Sequence, residues 1–130
     1  IHDTGIVYKL APAGDGTWAK TIVHNFTNGA DGGDPQSTLT FDAAGNLYGT
    51  SKGGGSGGQG TVFKLIPQSD GTWAEQTLLN FNGGNGWDSN TGVLLDRHGN
   101  LYSGAQWGGG DPACVLFGFS GCGLVFQVEP

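Results

Sequence analysis

Hydrophobic and polar residues alternate along short stretches of this chain, and the clearest such stretch occurs three times. Each copy is a glycine followed by residues whose side chains alternate between two faces, as Val62 and Lys64 do against Phe63 and Leu65. Alternation of this kind after a glycine predicts a β-strand. The three copies are Gly5–Leu10, Gly60–Leu65 and Gly123–Val128.

The spacing of these stretches predicts a repeat protein. Gly60 follows Gly5 by 55 residues, and Gly123 follows Gly60 by 63 residues. A period near fifty residues is typical of architectures in which one small unit of secondary structure recurs. We therefore interpret the whole chain in terms of two repeats.

Three further strands are predicted in each repeat. An Asp-Gly pair separates the first strand from the second, which predicts a hairpin. The segments Asp42–Gly45 and Asp96–Gly99 have the Asp and Gly spacing of a type I turn that ends in a left-handed residue. The second strand is predicted at 17–26 and 72–81, the third at 38–41 and 92–95, and the fourth at 46–50 and 100–104.

These strands predict an all-β fold of two four-stranded antiparallel propeller-like blade repeats plus one extra strand. The assignment is a single repeat domain over 1–130, with repeat one at 5–59, repeat two at 60–122 and the extra strand at 123–130. Closed propellers have about 4–8 blades. Two blades would therefore need further blades, from a longer parent chain or from other subunits.

Several motifs together resemble the choice-of-anchor tandem repeat GloVer-containing proteins of bacteria. The resemblance covers nearly the whole chain and is carried by Gly60–Leu65, Gly71-Thr72-Trp73, Phe81–Gly84 and Asp42–Thr50. It implies a secreted or surface-attached bacterial protein with propeller-like repeat domains. It supplies no catalytic residues for this chain.

The charge balance narrows the range of partners. The chain has a formal net charge of −6 and only five Lys and Arg residues, so it has no basic stripe for phosphates. Nucleic acid and anionic membranes are therefore not expected partners. The chain also lacks an apolar run long enough to insert into a membrane.

Cys114 and Cys122 lie eight positions apart in a glycine-rich loop. The alternatives are a local disulfide and two free thiols, and the lysine-poor, glycine-rich composition favours the disulfide. A disulfide would indicate an oxidising compartment, in agreement with an extracellular or cell-surface location. The segment between the cysteines has four large apolar side chains that are costly to leave in water, so we expect a contact loop there. They are Val115, Leu116, Phe117 and Phe119.

No arrangement of residues in the sequence indicates catalysis, a cofactor or a transition metal. The histidines are not spaced as metal ligands, and Glu75 and Glu129 show no sign of forming a glycosidase pair. We therefore expect a protein that is not an enzyme. Four aspartates lie in glycine-rich loops, where they either hydrogen-bond turn backbone or contribute to a calcium site. These aspartates are Asp31, Asp34, Asp88 and Asp111.

The second repeat has two tryptophans where the first repeat has glycines. Trp87 and Trp107 stand at the positions of Gly33 and Gly53, and Asp88 follows Trp87. Tryptophan presents a large apolar face with a polar group, so the three residues could form a stacking platform for a sugar ring. The alternative interpretation is that both rings fill space at a blade edge or at a subunit contact.

The function predicted from the sequence is that of a secreted structural or interaction protein that self-assembles. Because eight strands complete two units, one glycine-led strand is expected to have no place in its own chain and to pair with another molecule. The resulting homo-oligomer would be a ring or a filament. The alternatives are a lectin-like carbohydrate-binding module and an inert fragment of a larger surface propeller. The expected assembly residues are Gly5, Val7, Leu10, Gly123, Val125, Phe126 and Val128.

Overall fold

A computed structural model of the chain describes residues 4–116 and 118–129. Within these residues the regular secondary structure consists of eleven β-strands and includes no helix. The strands are β1 (Ile6–Pro12), β2 (Trp18–Asn25), β3 (Thr40–Phe41), β4 (Leu47–Ser51), β5 (Thr61–Pro67), β6 (Trp73–Asn80), β7 (Leu94–Leu95), β8 (Leu101–Ala105), β9 (Val115–Leu116), β10 (Phe119–Ser120) and β11 (Leu124–Val128).

The strands form antiparallel sheets, which confirms the all-β prediction. The first sheet is the pair β1-β2, the second has the order β3-β4-β5-β6, and the third has the order β11-β8-β7. A short ribbon of β9 and β10 lies between β8 and β11 in the chain. None of these sheets closes into a barrel within the part of the chain that the structure describes.

The strands are not grouped into sheets as the sequence predicts. The sequence pattern predicts two complete four-stranded units and one extra strand. The four-stranded sheet joins the third and fourth strands of repeat one to the first and second strands of repeat two. Both glycine-led strands at the ends of the chain have partners, because β1 pairs with β2 and β11 pairs with β8. The prediction of a strand without a partner in its own chain is therefore wrong. The fourth strand of each repeat turns through a glycine-rich loop and pairs with the next glycine-led strand.

The two long hairpins are copies of one another down to their irregularities. Strand β1 pairs with β2 from Ile6 opposite Asn25, and β5 pairs with β6 from Thr61 opposite Asn80. The register shifts at the same place in both hairpins, after the second residue of the first strand. The sequence prediction that the first two strands of each repeat form an antiparallel hairpin is confirmed.

The turn between the third and fourth strands also has the predicted form. Gly45 has a φ of 85°, in the region that favours glycine, and its amide donates to the Asp42 carbonyl at 3.1 Å. The Asp42 carboxylate accepts hydrogen bonds from the amides of Ala44 and Asn46, each at 2.9 Å. Gly99 has the same φ in repeat two. An Asp at the start of a turn thus satisfies the amides that the turn leaves without strand partners.

The apolar side chains form two separate clusters. One lies between the first and second sheets and consists of Val7, Val23, Phe26, Leu47, Phe63 and Leu65. The other lies between the second and third sheets and consists of Tyr48, Val62, Phe81, Val93, Leu101 and Ala105. Because β5 alternates its side chains, it supplies Phe63 and Leu65 to one cluster and Val62 to the other.

Candidate functional site

The two tryptophans that are specific to the second repeat lie side by side. Trp87, after β6, and Trp107, after β8, form an isolated antiparallel bridge. The Trp87 amide donates to the Trp107 carbonyl at 3.0 Å, and the reverse hydrogen bond measures 3.4 Å. Both residues are partly exposed. Directly opposed residues on neighbouring strands place their side chains on the same face, so the structure brings together the pair that the sequence suggested.

In the first repeat the same bridge is formed by two glycines. Gly33 and Gly53 form it, and a Cβ on Gly33 would lie 2.5 Å from Oδ1 of Asn28. A side chain at position 33 would therefore require Asn28 to move.

Asp88 is held by a residue from the other repeat. The Lys52 Nζ lies 3.3 Å from Asp88 Oδ1, and the Asp88 side chain is 15% exposed. Asp88 has a φ of 53°, and its counterpart Asp34 has a φ of 54°. Asp34 accepts two hydrogen bonds from the Gln36 side chain instead. The carboxylate that follows Trp87 in the sequence is therefore engaged by the Lys52 ammonium.

The two cysteines form a disulfide, as the sequence predicts, with their Cα atoms 5.7 Å apart. The segment between them is the β9–β10 hairpin, in which Leu116 stands opposite Phe119. The Val115 side chain is exposed. The structure thus replaces the expected loop by a short ribbon whose base is closed by the disulfide. Phe117, which belongs to the predicted contact loop, lies outside the described residues.

Two of the four loop aspartates, Asp31 and Asp111, accept hydrogen bonds from turn backbone, which is one of the two roles considered for them. Asp31 accepts a hydrogen bond from the Thr27 amide at 2.9 Å, and Asp111 accepts one from the Ala113 amide at 2.9 Å. Within the described chain, no three His, Cys, Asp or Glu side chains are gathered as metal ligands. The calcium interpretation therefore has no support from the arrangement of these loops.

Sequence reasoning missed a polar cluster where the first two sheets meet. His24 Nε2 lies 3.3 Å from Asp31 Oδ2, and Thr77 Oγ1 lies 3.0 Å from both the Ala30 carbonyl oxygen and Glu75 Oε1. Burial raises the pKa of Glu75, and the nearby Asp31 charge adds to the increase. The available signal was the repeat offset, which aligns Glu75 with Lys20 and so marks a charge difference between two otherwise similar hairpins.

A groove along β1 was also missed. It has a volume of about 480 Å³ and runs between β1 and the segment that contains Pro35, Ser37 and Leu39. The edge of β1 opposite β2 faces this groove, and no described strand pairs with that edge. Tyr8 and Leu10, which contribute to its wall, are 51% and 48% exposed. The groove is thus an apolar surface beside unpaired strand backbone.

Among the described residues, no helix is long and apolar enough to cross a membrane.

The chain belongs to the Gloeobacter/Verrucomicrobia repeat family, whose model matches residues 1–130. This membership confirms the resemblance drawn from the repeated motifs. No curated protein and no solved structure matches the chain.

Proposed function

We propose that this chain is a structural and interaction module whose sheets are propeller-like blades and which assembles with copies of itself through strand addition. The observation that carries the proposal is the uneven number of strands in the three sheets, which are two, four and three. Relative to the middle sheet, the first lacks two strands beside β1 and the third lacks one beside β11. Open edges with unpaired amide and carbonyl groups are templates for pairing with another chain.

The propeller-like arrangement is supported by the middle sheet and by its contacts. The order β3-β4-β5-β6 is the sequential antiparallel order of a propeller blade. Hydrogen bonds link this sheet to the next segment, from Thr40 Oγ1 to the Val93 carbonyl at 2.6 Å and from Thr50 Oγ1 to the Ser89 carbonyl at 2.8 Å. Successive sheets that pack in this way would extend into a ring or a filament when further units are added.

An extracellular or cell-surface location is part of the proposal. The Cys114–Cys122 disulfide is compatible with it, because such bonds persist in oxidising compartments. In that setting, a repeat module without catalytic chemistry would act through its surfaces. We infer no enzymatic activity, no cofactor and no nucleic-acid or membrane partner.

The mass in solution tests the proposal. Light scattering over a range of concentrations should show a dimer or a larger assembly whose share grows with concentration. A chain that remains a folded monomer at the highest concentration contradicts self-assembly and favours the alternative of an inert fragment of a larger surface propeller.

Carbohydrate binding is the second candidate, because Trp87 and Trp107 are paired beside the Lys52–Asp88 ion pair. A glycan array with the full chain tests this function. Trp87→Ala and Trp107→Ala should each abolish sugar retention. Trp18→Ala is the matched control, since Trp18 is an exposed tryptophan on β2, outside this bridge. Unchanged retention in both variants of the bridge would exclude the lectin-like function.

A further inference from the structure

Three strands of this chain are copies of one another, but each has a different set of neighbours. Strand β5 pairs with β4 on one side and with β6 on the other. Among the described residues, β11 pairs with β8 alone and β1 pairs with β2 alone. Thus β11 pairs with the strand equivalent to β4, whereas β1 pairs with the strand equivalent to β6.

The pairing register of β5 is repeated in β11. Tyr48 stands opposite Lys64 and Leu47 opposite Leu65 in the middle sheet. Tyr102 stands opposite Gln127 and Leu101 opposite Val128 in the third sheet. The fourth strand of each repeat therefore presents one edge with a defined register, and β5 and β11 pair with that edge in the same register.

We propose that β1 of one molecule takes the place of β11 beside β8 of a second molecule. The proposal rests on the self-assembly proposed above and names its contact. Transferred by the repeat offset, the register places Lys9 opposite Tyr102 of the second molecule and Leu10 opposite its Leu101. The second molecule's β8 then lies along the unpaired edge of β1, where the groove of about 480 Å³ is found.

The exchange forms a complete sheet from two incomplete ones. Strand β1 is hydrogen-bonded to β2, so both strands join β7 and β8 of the second molecule in the order seen in the middle sheet. The half-exposed Tyr8 and Leu10 lose contact with water in the process. In strand addition the main-chain hydrogen bonds give affinity, and the burial of apolar side chains adds to it.

A side-chain contact favours β1 over β11 in this position. In the middle sheet the Lys64 ammonium lies over the Tyr48 ring, 5.4 Å from its centroid. Gln127 stands opposite the equivalent Tyr102 and has no charge to offer. Lys9 would restore the cation–π contact to Tyr102 of the second molecule.

Strand β11 opposes the exchange as an intramolecular competitor. Its Phe126 ring packs against Phe81 with centroids 5.4 Å apart, and the β9–β10 hairpin connects it to β8 in the same chain. A tethered strand has a high effective concentration at its own edge. We therefore expect β11 to occupy β8 in dilute solution and β1 of another molecule to replace it as the concentration rises.

Register-specific disulfide trapping tests the exchange in chains that contain all of residues 1–130. A mixture of Lys9→Cys and Tyr102→Cys chains, under oxidised glutathione, should form a covalent heterodimer. Lys9→Cys mixed with Ser103→Cys is the control, because a slip of one residue turns the new thiol to the opposite face of the strand. We expect about tenfold more heterodimer from the matched pair than from the control. Equal yields, or none from the matched pair, would overturn the exchange.

A second pair of variants avoids any dependence on thiols. Lys9→Gln gives β1 the residue that β11 has at this position and should weaken self-association about threefold or more, because the cation–π contact is lost. Lys64→Gln is the control, since it removes the same kind of contact, with the Tyr48 ring, within the middle sheet of one chain. The contact between β1 and β8 of another molecule would be overturned if Lys9→Gln leaves assembly unchanged and if Lys9→Cys with Tyr102→Cys forms no covalent heterodimer. Self-assembly itself would not be contradicted by that result. A monomer at all concentrations would contradict both proposals.

Discussion

The strands β5 and β11 have nearly the same sequence pattern but very different surroundings. Val62, Phe63 and Leu65 of β5 are completely buried, since β5 lies between two strands and between two sheets. Val125, the counterpart of Val62, is 80% exposed at the edge of the third sheet. The comparison shows that the pattern makes the strand, whereas the neighbours decide how much its side chains stabilise the fold.

The largest expected effect is a loss in the free energy of unfolding, and it should differ strongly between two equivalent leucines. Leu65→Ala should lower the free energy of unfolding by about 2–5 kcal/mol, because it empties a fully buried position. Leu10→Ala, at the same position in β1, should cost less than about 1 kcal/mol in the monomer, because half of that side chain is already in water. Urea unfolding at low protein concentration measures both values. Similar costs would contradict the difference between central and edge strands.

Loss of the disulfide should have the next largest effect. Replacement of Cys114 and Cys122 by serine should lower the free energy of unfolding by about 2–3 kcal/mol, on the chain-entropy view of a short closed loop. The middle sheet, which has no covalent link, should keep its resistance to local opening in hydrogen exchange. Thiol titration of the unreduced wild type should find no free thiol, and two reactive thiols per chain would contradict the bond.

The turns Asp42–Gly45 and Asp96–Gly99, which each begin with an aspartate, allow a test of how the stability of the fold depends on pH. Burial alone would raise the pKa of Asp42, but hydrogen bonds from Asn46, Tyr48 and Ala44 outweigh it and lower the pKa. A lowered pKa means that the ionised carboxylate stabilises the folded state, so this contribution is lost as the pH falls through the folded-state pKa, which lies below the ordinary value of 3.8. Asp42→Asn should therefore reduce the urea midpoint at pH 7 and match the wild type in strong acid.

Asp96→Asn is the matched variant in the other repeat. The hydrogen bond from the Asn100 side chain lowers the pKa of Asp96 most. The Tyr102 hydroxyl donates to Asp96 at 3.4 Å, compared with 3.0 Å for Tyr48 and Asp42. We therefore expect a smaller reduction of the midpoint than for Asp42→Asn. A larger reduction of the midpoint would indicate that the third sheet depends more on the Asp96–Gly99 turn than the middle sheet depends on the Asp42–Gly45 turn.

The smallest expected effect concerns Glu75, where the equivalent hairpin has Lys20. Burial raises the pKa of Glu75, so the charged form is disfavoured in the folded state and stability is lost as the pH rises through that pKa. Glu75→Gln can still accept the hydrogen bond from Thr77. It should slightly raise the urea midpoint at neutral pH and leave it unchanged in acid. A lower midpoint at neutral pH would mean that the attraction to His24 dominates.

Much of the local structure could be predicted from residues close together in the sequence. The Asp-Gly hairpins, the Asp42–Gly45 turn and the alternation in Thr61–Pro67 depend on backbone preferences and short-range hydrogen bonds. The pairing of Trp87 with Trp107 was suggested by the alignment of the two repeats. The Lys52–Asp88 ion pair and the groove beside β1 were missed, because the residues that form them are far apart in the chain.

The sequence alone determined where the four strands of each repeat and their turns occur, that they recur, and to which family they belong. Only the tertiary structure decided which strands share a sheet. A glycine-led strand has two hydrogen-bonding edges, and its side-chain pattern does not tell which edge the chain will use. That choice depends on loops: the glycine loop after β4 and the disulfide-closed hairpin after β8 both return the chain to the preceding strand. For this reason the sheet boundaries fall inside the sequence repeats.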